Sequence, residues 1–166
     1  MNREKIKQKN LIVAAIIIVG LITLDQIVKI IARNYLAGQP GYSYLSGFVQ
    51  IEYAENRGAF LSLGAQLSDA ARSVLFIFGA SAMLLFCVYW MWKTAEHRLS
   101  MIAFALVISG GVGNLIDRIF RGSVTDYVHM GFGSLRTGVF NVADVAISFG
   151  FLFLLFLQYK SDESAP

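Results

Sequence analysis

The sequence predicts an all-α membrane protein in which four transmembrane helices carry a small extracytoplasmic β-sheet and a short interfacial helix. Three observations lead there. Hydrophobic residues make up 56% of the 166-residue chain and charged residues only 15%, where an average soluble domain holds about 45 to 50% apolar and about 25% charged residues. The mean hydropathy is +0.59. The apolar positions gather into four runs, residues 11 to 31, 71 to 92, 99 to 117 and 139 to 159, each near the ~20 residues that a helix needs to cross a hydrocarbon core. Pro40 and Pro166, the two prolines, mark no linker, so residues 1 to 166 read as a single integral membrane domain.

The first run, LIVAAIIIVGLITLDQIVKII, follows Arg3, Lys5, Lys7 and Lys9. A basic flank before an apolar stretch also describes a cleaved signal peptide, but this stretch is too long and no small-x-small site follows it, which predicts a retained helix. The same flank places both termini in the cytoplasm for an even number of crossings, with Lys93, Arg98 and Lys160 on that side. The net charge of +3 is therefore a membrane-orienting signal and not a nucleic-acid patch. Segments 32 to 70 and 118 to 138 then lie outside, and 93 to 98 form a cytoplasmic turn. Tyr89, Trp90 and Trp92 fall at the inner boundary and Tyr35 at the outer one, where interfacial aromatics belong.

Within the outer segments Val49, Ile51 and Tyr53 alternate with polar neighbours, as do Val124, Asp126 and Val128, which predicts two short strands. Phe60, Leu61, Leu63 and Leu67 after Gly58 suit a helix lying in the interface plane. Ser68 is placed to cap the second membrane helix. Cys87 lies inside an apolar run, which leaves it to packing and excludes an intrachain disulfide or a cysteine-based metal site.

Ionisable groups inside a membrane segment cost a few kcal/mol each on insertion scales and call for a partner or a role. Here they are Asp25, Lys29, Asp117 and Asp144, joined by the amides Asn114 and Asn141, and all six fall in the outer halves of their helices. Asp25 and Lys29, spaced i, i+4, can satisfy each other as an ion pair. Asn114, Asp117 and Arg118 share one helix face, and Asn141, Asp144 and Ser148 repeat the pattern on the last helix. A proton relay for transport would spread such groups through the whole depth, and an assembly subunit would need them only for packing; gathered at one level they predict a polar functional site.

No nucleophile elbow, H-E-x-x-H or Walker loop is present, and Gly110, Gly111 and Gly113 sit inside a membrane helix where close packing explains them. His97 and His129 fall on opposite sides of the membrane, so no two-histidine metal site is available, and His129 reads as a surface or strand residue. Carboxylates remain. Two that approach closely share one proton, so one can act as base on water while the other donates to a carbonyl. Asp126 and Asp144 are the candidates, separated by a loop whose Gly131, Gly133 and Gly138 allow the return.

The runs GGVGNLIDRIFRGSVTDYVH (residues 110 to 129) and FNVADVAIS (residues 140 to 148), preceded by LDQIVK and ENRGAF, resemble the signature blocks of the bacterial lipoprotein signal peptidases, or signal peptidase II. The resemblance covers nearly the whole chain. It implies a membrane-embedded aspartyl endopeptidase of the bacterial inner membrane, working near the outer leaflet. Such an enzyme removes the signal peptide from prolipoproteins before a diacylglyceryl-modified cysteine. It also implies Asp126 and Asp144 as the dyad, with Asp25, Asn56, Gly58, Asn114, Asp117, Arg118 and Asn141 positioning substrate or supporting the dyad. The expected partners are prolipoproteins and membrane lipids, with a monomer, no metal, no organic cofactor and no nucleic acid. Most relatives read N-x-G-A-A-F in the outer block, whereas here Phe60 follows Ala59 directly.

Overall fold

A computed structural model describes residues 2 to 58 and 68 to 163. Its elements are α1 (Arg3–Leu36), β1 (Tyr42–Tyr44), β2 (Val49–Asn56), α2 (Asp69–Lys93), α3 (Arg98–Arg121), β3 (Val124–Phe132), β4 (Leu135–Arg136) and α4 (Val142–Glu163). The four helices are each long and apolar enough to cross a membrane. The expected interfacial helix at Phe60 to Leu67 lies outside the described residues.

The helices run further than their apolar cores. α1 starts at Arg3 because Asn2 caps it, accepting from the Glu4 N–H at 3.3 Å, and because the lysines that follow are good helix formers. Its 34 residues span about 51 Å at ~1.5 Å each, against a hydrocarbon core of about 30 Å. α2 is capped by Ser68 as expected, its Oγ accepting from Ala71 N at 3.3 Å. α3 continues to Arg121 and stops at Gly122, whose φ of 73° is the left-handed turn that ends many helices. α4 begins at Val142, later than the apolar run suggested, because Asn141 stands at its head.

α3 is the central helix, packed on α1, α2 and α4. Its three clustered glycines each face a different neighbour. A methyl at Gly110 would run into the Ala143 carbonyl of α4, at Gly111 it would lie 2.6 Å from Leu84 of α2, and at Gly113 2.6 Å from the Asp25 carboxylate of α1. Small residues thus admit the α4 backbone and one side chain each from α2 and α1 against one helix, the device of membrane helix packing. Cys87 is buried, as expected of a packing residue. At one end of the bundle the Asn10 amide donates to Ala95 O at 2.9 Å and Lys7 lies 4.3 Å over the Trp92 ring, tying the start of α1 to the α2–α3 turn.

The sheet caps the other end in the order β1-β2-β3-β4, antiparallel throughout. The two alternating segments foreseen in the sequence are β2 and β3, in register Ile51 with Val128 and Ala54 with Asp126, with a bulge between Ile51 and Ala54. β1 and β4 were not foreseen: three residues and two residues are too short to display a period. β3 is pinned to the head of α4 by a bridge from Val128 to Phe140.

Gly110→Ala is expected to cost about 1 to 3 kcal/mol, since the added methyl meets backbone that cannot swing aside. Gly79→Ala, on α2 with nothing within 4 Å, is expected to be neutral or to gain up to about 1 kcal/mol. Thermal unfolding of the two variants in detergent checks the contrast.

Candidate active site

The head of α4 sets the geometry. The first N–H groups of a helix have no partner within it. Here each is met by a side chain. Asn141 N donates to Asp144 Oδ2 at 3.1 Å and Asp144 N to Asn141 Oδ1 at 2.9 Å, a reciprocal cap. Between them Val142 N donates to Tyr127 Oη at 3.2 Å, and Ala143 N to Asp25 Oδ1 at 3.0 Å. Three elements, α1, β3 and α4 itself, therefore fix where Asp144 stands.

Asp126 reaches the same place from β3. Its Oδ1 accepts from Asn141 Nδ2 at 2.6 Å and its Oδ2 from Asn56 Nδ2 at 3.1 Å. Asn56, the last residue of β2, is itself held by the Gly58 N–H at 3.1 Å. Asp144 Oδ1 accepts from Asn114 Nδ2 of α3 at 2.8 Å. Asn141 thus touches both carboxylates, and its amide lies 3.1 Å from Asn114 Oδ1 as well. Burial, with the neighbouring Asp144 charge behind it, pushes the Asp126 carboxyl up to about 6; the hydrogen bonds from Asn56 and Asn141 and the Lys29 charge pull the other way. Burial likewise carries the Tyr127 hydroxyl to about 12, so it stays protonated.

Beneath the pair lies a fully buried cation. Lys29 Nζ is 2.9 Å from Asp25 Oδ2, 3.5 Å from Asp117 Oδ2 and 2.9 Å from Asn114 Oδ1. The foreseen ion pair of Asp25 and Lys29 is therefore one edge of a larger network. Asp117 Oδ2 also accepts from Thr125 N at 3.0 Å, its Oδ1 lies 3.7 Å from Arg33, and Arg33 donates to Thr125 Oγ1 at 3.0 Å. This holds the residue before Asp126. Arg118 donates to the carbonyls of Gly58 and Asn114, both at 3.4 Å, and lies 5.7 Å over the Phe76 ring.

Asp25, Asn56, Gly58, Asn114, Asp117, Arg118, Asp126, Asn141 and Asp144 are thus joined in one network. Ser148 does not join it and is exposed on α4. His129 is a strand residue as expected, 2.7 Å from Gln50. Tyr127, Thr125, Gln26 and Arg33 were missed. Gln26 follows Asp25 directly and donates to it at 3.1 Å, but adjacency on a helix gives no such signal. The strand alternation that exposed Asp126 assigned Tyr127 to the opposite face and gave no sign that its hydroxyl turns back to the helix.

Four membrane-length helices with two neighbouring carboxylates, held by amides and underlain by a buried ion network, define a polytopic membrane protein carrying the side-chain set of an aspartyl hydrolase. Residues 17 to 160 match the family model described as signal peptidase (SPase) II. A lipoprotein signal peptidase of Streptococcus pneumoniae (strain ATCC BAA-255 / R6) is 32% identical over 153 residues, covering 90% of this chain and 94% of that one. One of Caldicellulosiruptor bescii is 34% identical over 145 residues, covering 87% and 89%. A bacterial membrane enzyme solved by the in meso method at 2.3 Å resolution superposes with a TM-score of 0.83 at 23% identity, over 93% of this chain and 92% of that one, which shows a shared fold. The chain belongs to the signal peptidase II family: it is a peptidase and a multi-pass protein of the bacterial inner membrane.

Two predictions follow from the network. Lys29→Met leaves buried Asp25 without its cation and Asp117 with Arg33 alone, and is expected to cost about 3 to 5 kcal/mol. Adding Asp25→Asn should recover part of that loss, read by thermal unfolding of the two variants. The second concerns pH. Because the folded Asp126 carboxyl is raised from 3.8 to about 6, its protonated form favours the fold, and stability is lost as pH climbs between those values. Asp126→Asn removes this dependence. Its stability relative to wild type is expected to be greater at pH 8 than at pH 4, by up to about 3 kcal/mol.

Proposed function

We propose that Asp126 and Asp144 are the catalytic pair of an aspartyl endopeptidase that cuts prolipoproteins before a diacylglyceryl-modified cysteine. The observation that carries this is the pairing of the two carboxylates through Asn141 over a framework one positive charge short. Asp25, Asp117, Asp126 and Asp144 carry four formal negative charges, and Lys29, Arg33 and Arg118 carry three positive ones. A single proton shared by the pair makes the site neutral, and one shared proton is the working state of such a dyad.

The chemistry then needs no group beyond these. The ionised partner takes a proton from a water, whose oxygen attacks the scissile carbonyl carbon. The protonated partner gives its proton to the carbonyl oxygen, forming a tetrahedral diol. As that intermediate collapses, the C–N bond breaks and the amine leaves with a proton from the dyad. The products are a signal peptide ending in a carboxyl and a lipid-modified cysteine with a free amine. The two carboxyls titrate as a pair. Asn56, Asn114 and Asn141 hold the dyad by their amides, Asp25 and Asp117 fix its supporting backbone, and Arg118 fixes Gly58 beside it. One chain supplies the whole set, which suits a monomer.

The orientation follows from charge. With the basic start of α1 in the cytoplasm, both termini lie inside, the sheet is extracytoplasmic and the dyad stands at the outer leaflet. A lipid-anchored substrate stays in that leaflet and approaches laterally, so carboxylates at that depth meet it without withdrawing its acyl chains. A proton relay fits poorly: among the described residues the far half of the bundle buries Asn10 as its one polar side chain of α1 and no ionisable group.

Cleavage of a diacylglyceryl-modified prolipoprotein by purified protein in lipid is the test. Asp126→Asn and Asp144→Asn are each expected to lose about 10²- to 10⁴-fold in turnover with folding retained. Folded protein whose Asp variants cut as well as wild type would overturn the assignment of the dyad.

A further inference from the structure

Outside the four helices, the large apolar side chains that stand exposed among the described residues fall at one place, the end of the sheet away from the dyad. Tyr42 and Tyr44 lie on β1, Leu45 is 72% exposed in the turn after it, and Phe132 and Leu135 are 65% and 85% exposed at the β3–β4 hairpin. The two loops form one patch, because Phe48 stacks on Phe132 with ring centroids 4.8 Å apart and Gly131 N donates to Phe48 O at 2.9 Å. Leu45 and Ser46 hold φ values of 52° and 55°, a conformation that L side chains rarely adopt, so strained backbone presents the apolar tip.

Charge says what covers it. Residues 37 to 51 contain no charged residue at all, and residues 130 to 141 contain only Arg136. Aliphatic and aromatic side chains, flanking tyrosines, a lone arginine and no carboxylate form the composition of a segment seated at an anionic lipid interface. Position agrees. β3 is pinned at Val128 to Phe140, just before α4, and Phe132 is four residues further on. Phe132 therefore stands no more than about 13 Å along β3 from the residue bridged to the approach to a membrane-crossing helix, at ~3.3 Å per strand residue. β1 begins six residues after α1 ends, which tethers the other side.

The geometry points to a second membrane anchor: Leu45, Phe48, Phe132 and Leu135 dip into the headgroup–acyl boundary of the leaflet beside the dyad, with Tyr42 and Tyr44 at the interface and Arg136 toward lipid phosphate. Seated so, the sheet cannot tilt freely, and β3 holds Asp126 at a set depth. This requires the helices to cross the bilayer and is independent of the dyad's chemistry.

The test places a single environment-sensitive fluorophore on Leu135→Cys in a Cys87→Ser background, in nanodiscs of mixed zwitterionic and anionic phospholipid. The same label on Glu4→Cys, in the exposed first turn of α1 beyond the hydrocarbon core, is the aqueous reference. Emission at Leu135→Cys is expected to shift to the blue of the reference. Quenching there by a lipid-borne nitroxide should exceed that at the reference several-fold, with weaker quenching by iodide. Leu45→Cys carries the same reading should Leu135→Cys not be recovered folded. Water-like emission with iodide quenching equal to the reference would overturn the proposal. Self-quenching between copies in place of lipid quenching would also overturn it and assign the patch to a second copy.

Discussion

The first N–H groups of α4 have no partner inside the helix, and the rest of the site is built around that constraint. An uncapped helix end that is buried leaves several N–H groups unpaired, each costing on the order of a few kcal/mol. The chain answers with Asn141 and Asp144 from α4, Tyr127 from β3 and Asp25 from α1. Asp25 is in turn paired with Lys29, one turn away on the same helix. Lys29 in turn recruits Asp117 and Asn114 from α3. A cap, a buried ion pair and a pair of neighbouring carboxylates are thus successive consequences of starting a helix there.

The same logic explains why amides and not cations touch the carboxylate pair. A lysine or arginine bonded directly to Asp126 or Asp144 would hold it ionised, and two ionised carboxylates cannot share a proton. Neutral amides supply hydrogen bonds without deciding the protonation state. The cations stay one layer back, where Lys29 balances Asp25 and Asp117. Among the described residues no fully buried side-chain polar atom lacks a partner, so the polar interior is satisfied throughout.

What was legible in the sequence follows from what has a period or a price. Four helices were visible because about 20 consecutive apolar residues have few other uses. Asp25, Lys29, Asn114, Asp117, Asn141 and Asp144 were visible because polar groups in such runs are costly, and nothing but their common depth was needed to group them. Asp126 was harder, since a carboxylate on an outer strand is ordinary; alternation placed it and the resemblance gave it a role. Tyr127, Thr125 and Arg33 were not legible, because each acts through a contact between elements far apart in the chain: Tyr127 reaches α4, and Arg33 reaches β3 across 92 positions. β1 and β4 were too short to declare themselves.

The hydrogen bonds on Asp126 and Asp144 have a regularity that bears on the catalysis proposed for them. Asp126 Oδ1 takes Asn141 Nδ2, Asp126 Oδ2 takes Asn56 Nδ2, Asp144 Oδ1 takes Asn114 Nδ2, and Asp144 Oδ2 takes the Asn141 backbone N–H. Among the described residues each of the four oxygens thus receives one N–H from the frame. A carboxylate oxygen has two lone pairs, so these contacts leave one on each. The frame fixes both planes while leaving acceptor capacity for the shared proton, the attacking water and the diol of the proposed mechanism. Fewer bonds would let the carboxylates turn, and a second donor on every oxygen would occupy the lone pairs that the reaction uses. Holding each oxygen once gives preorganisation without saturation, which is what the electrostatic catalysis proposed for this pair demands.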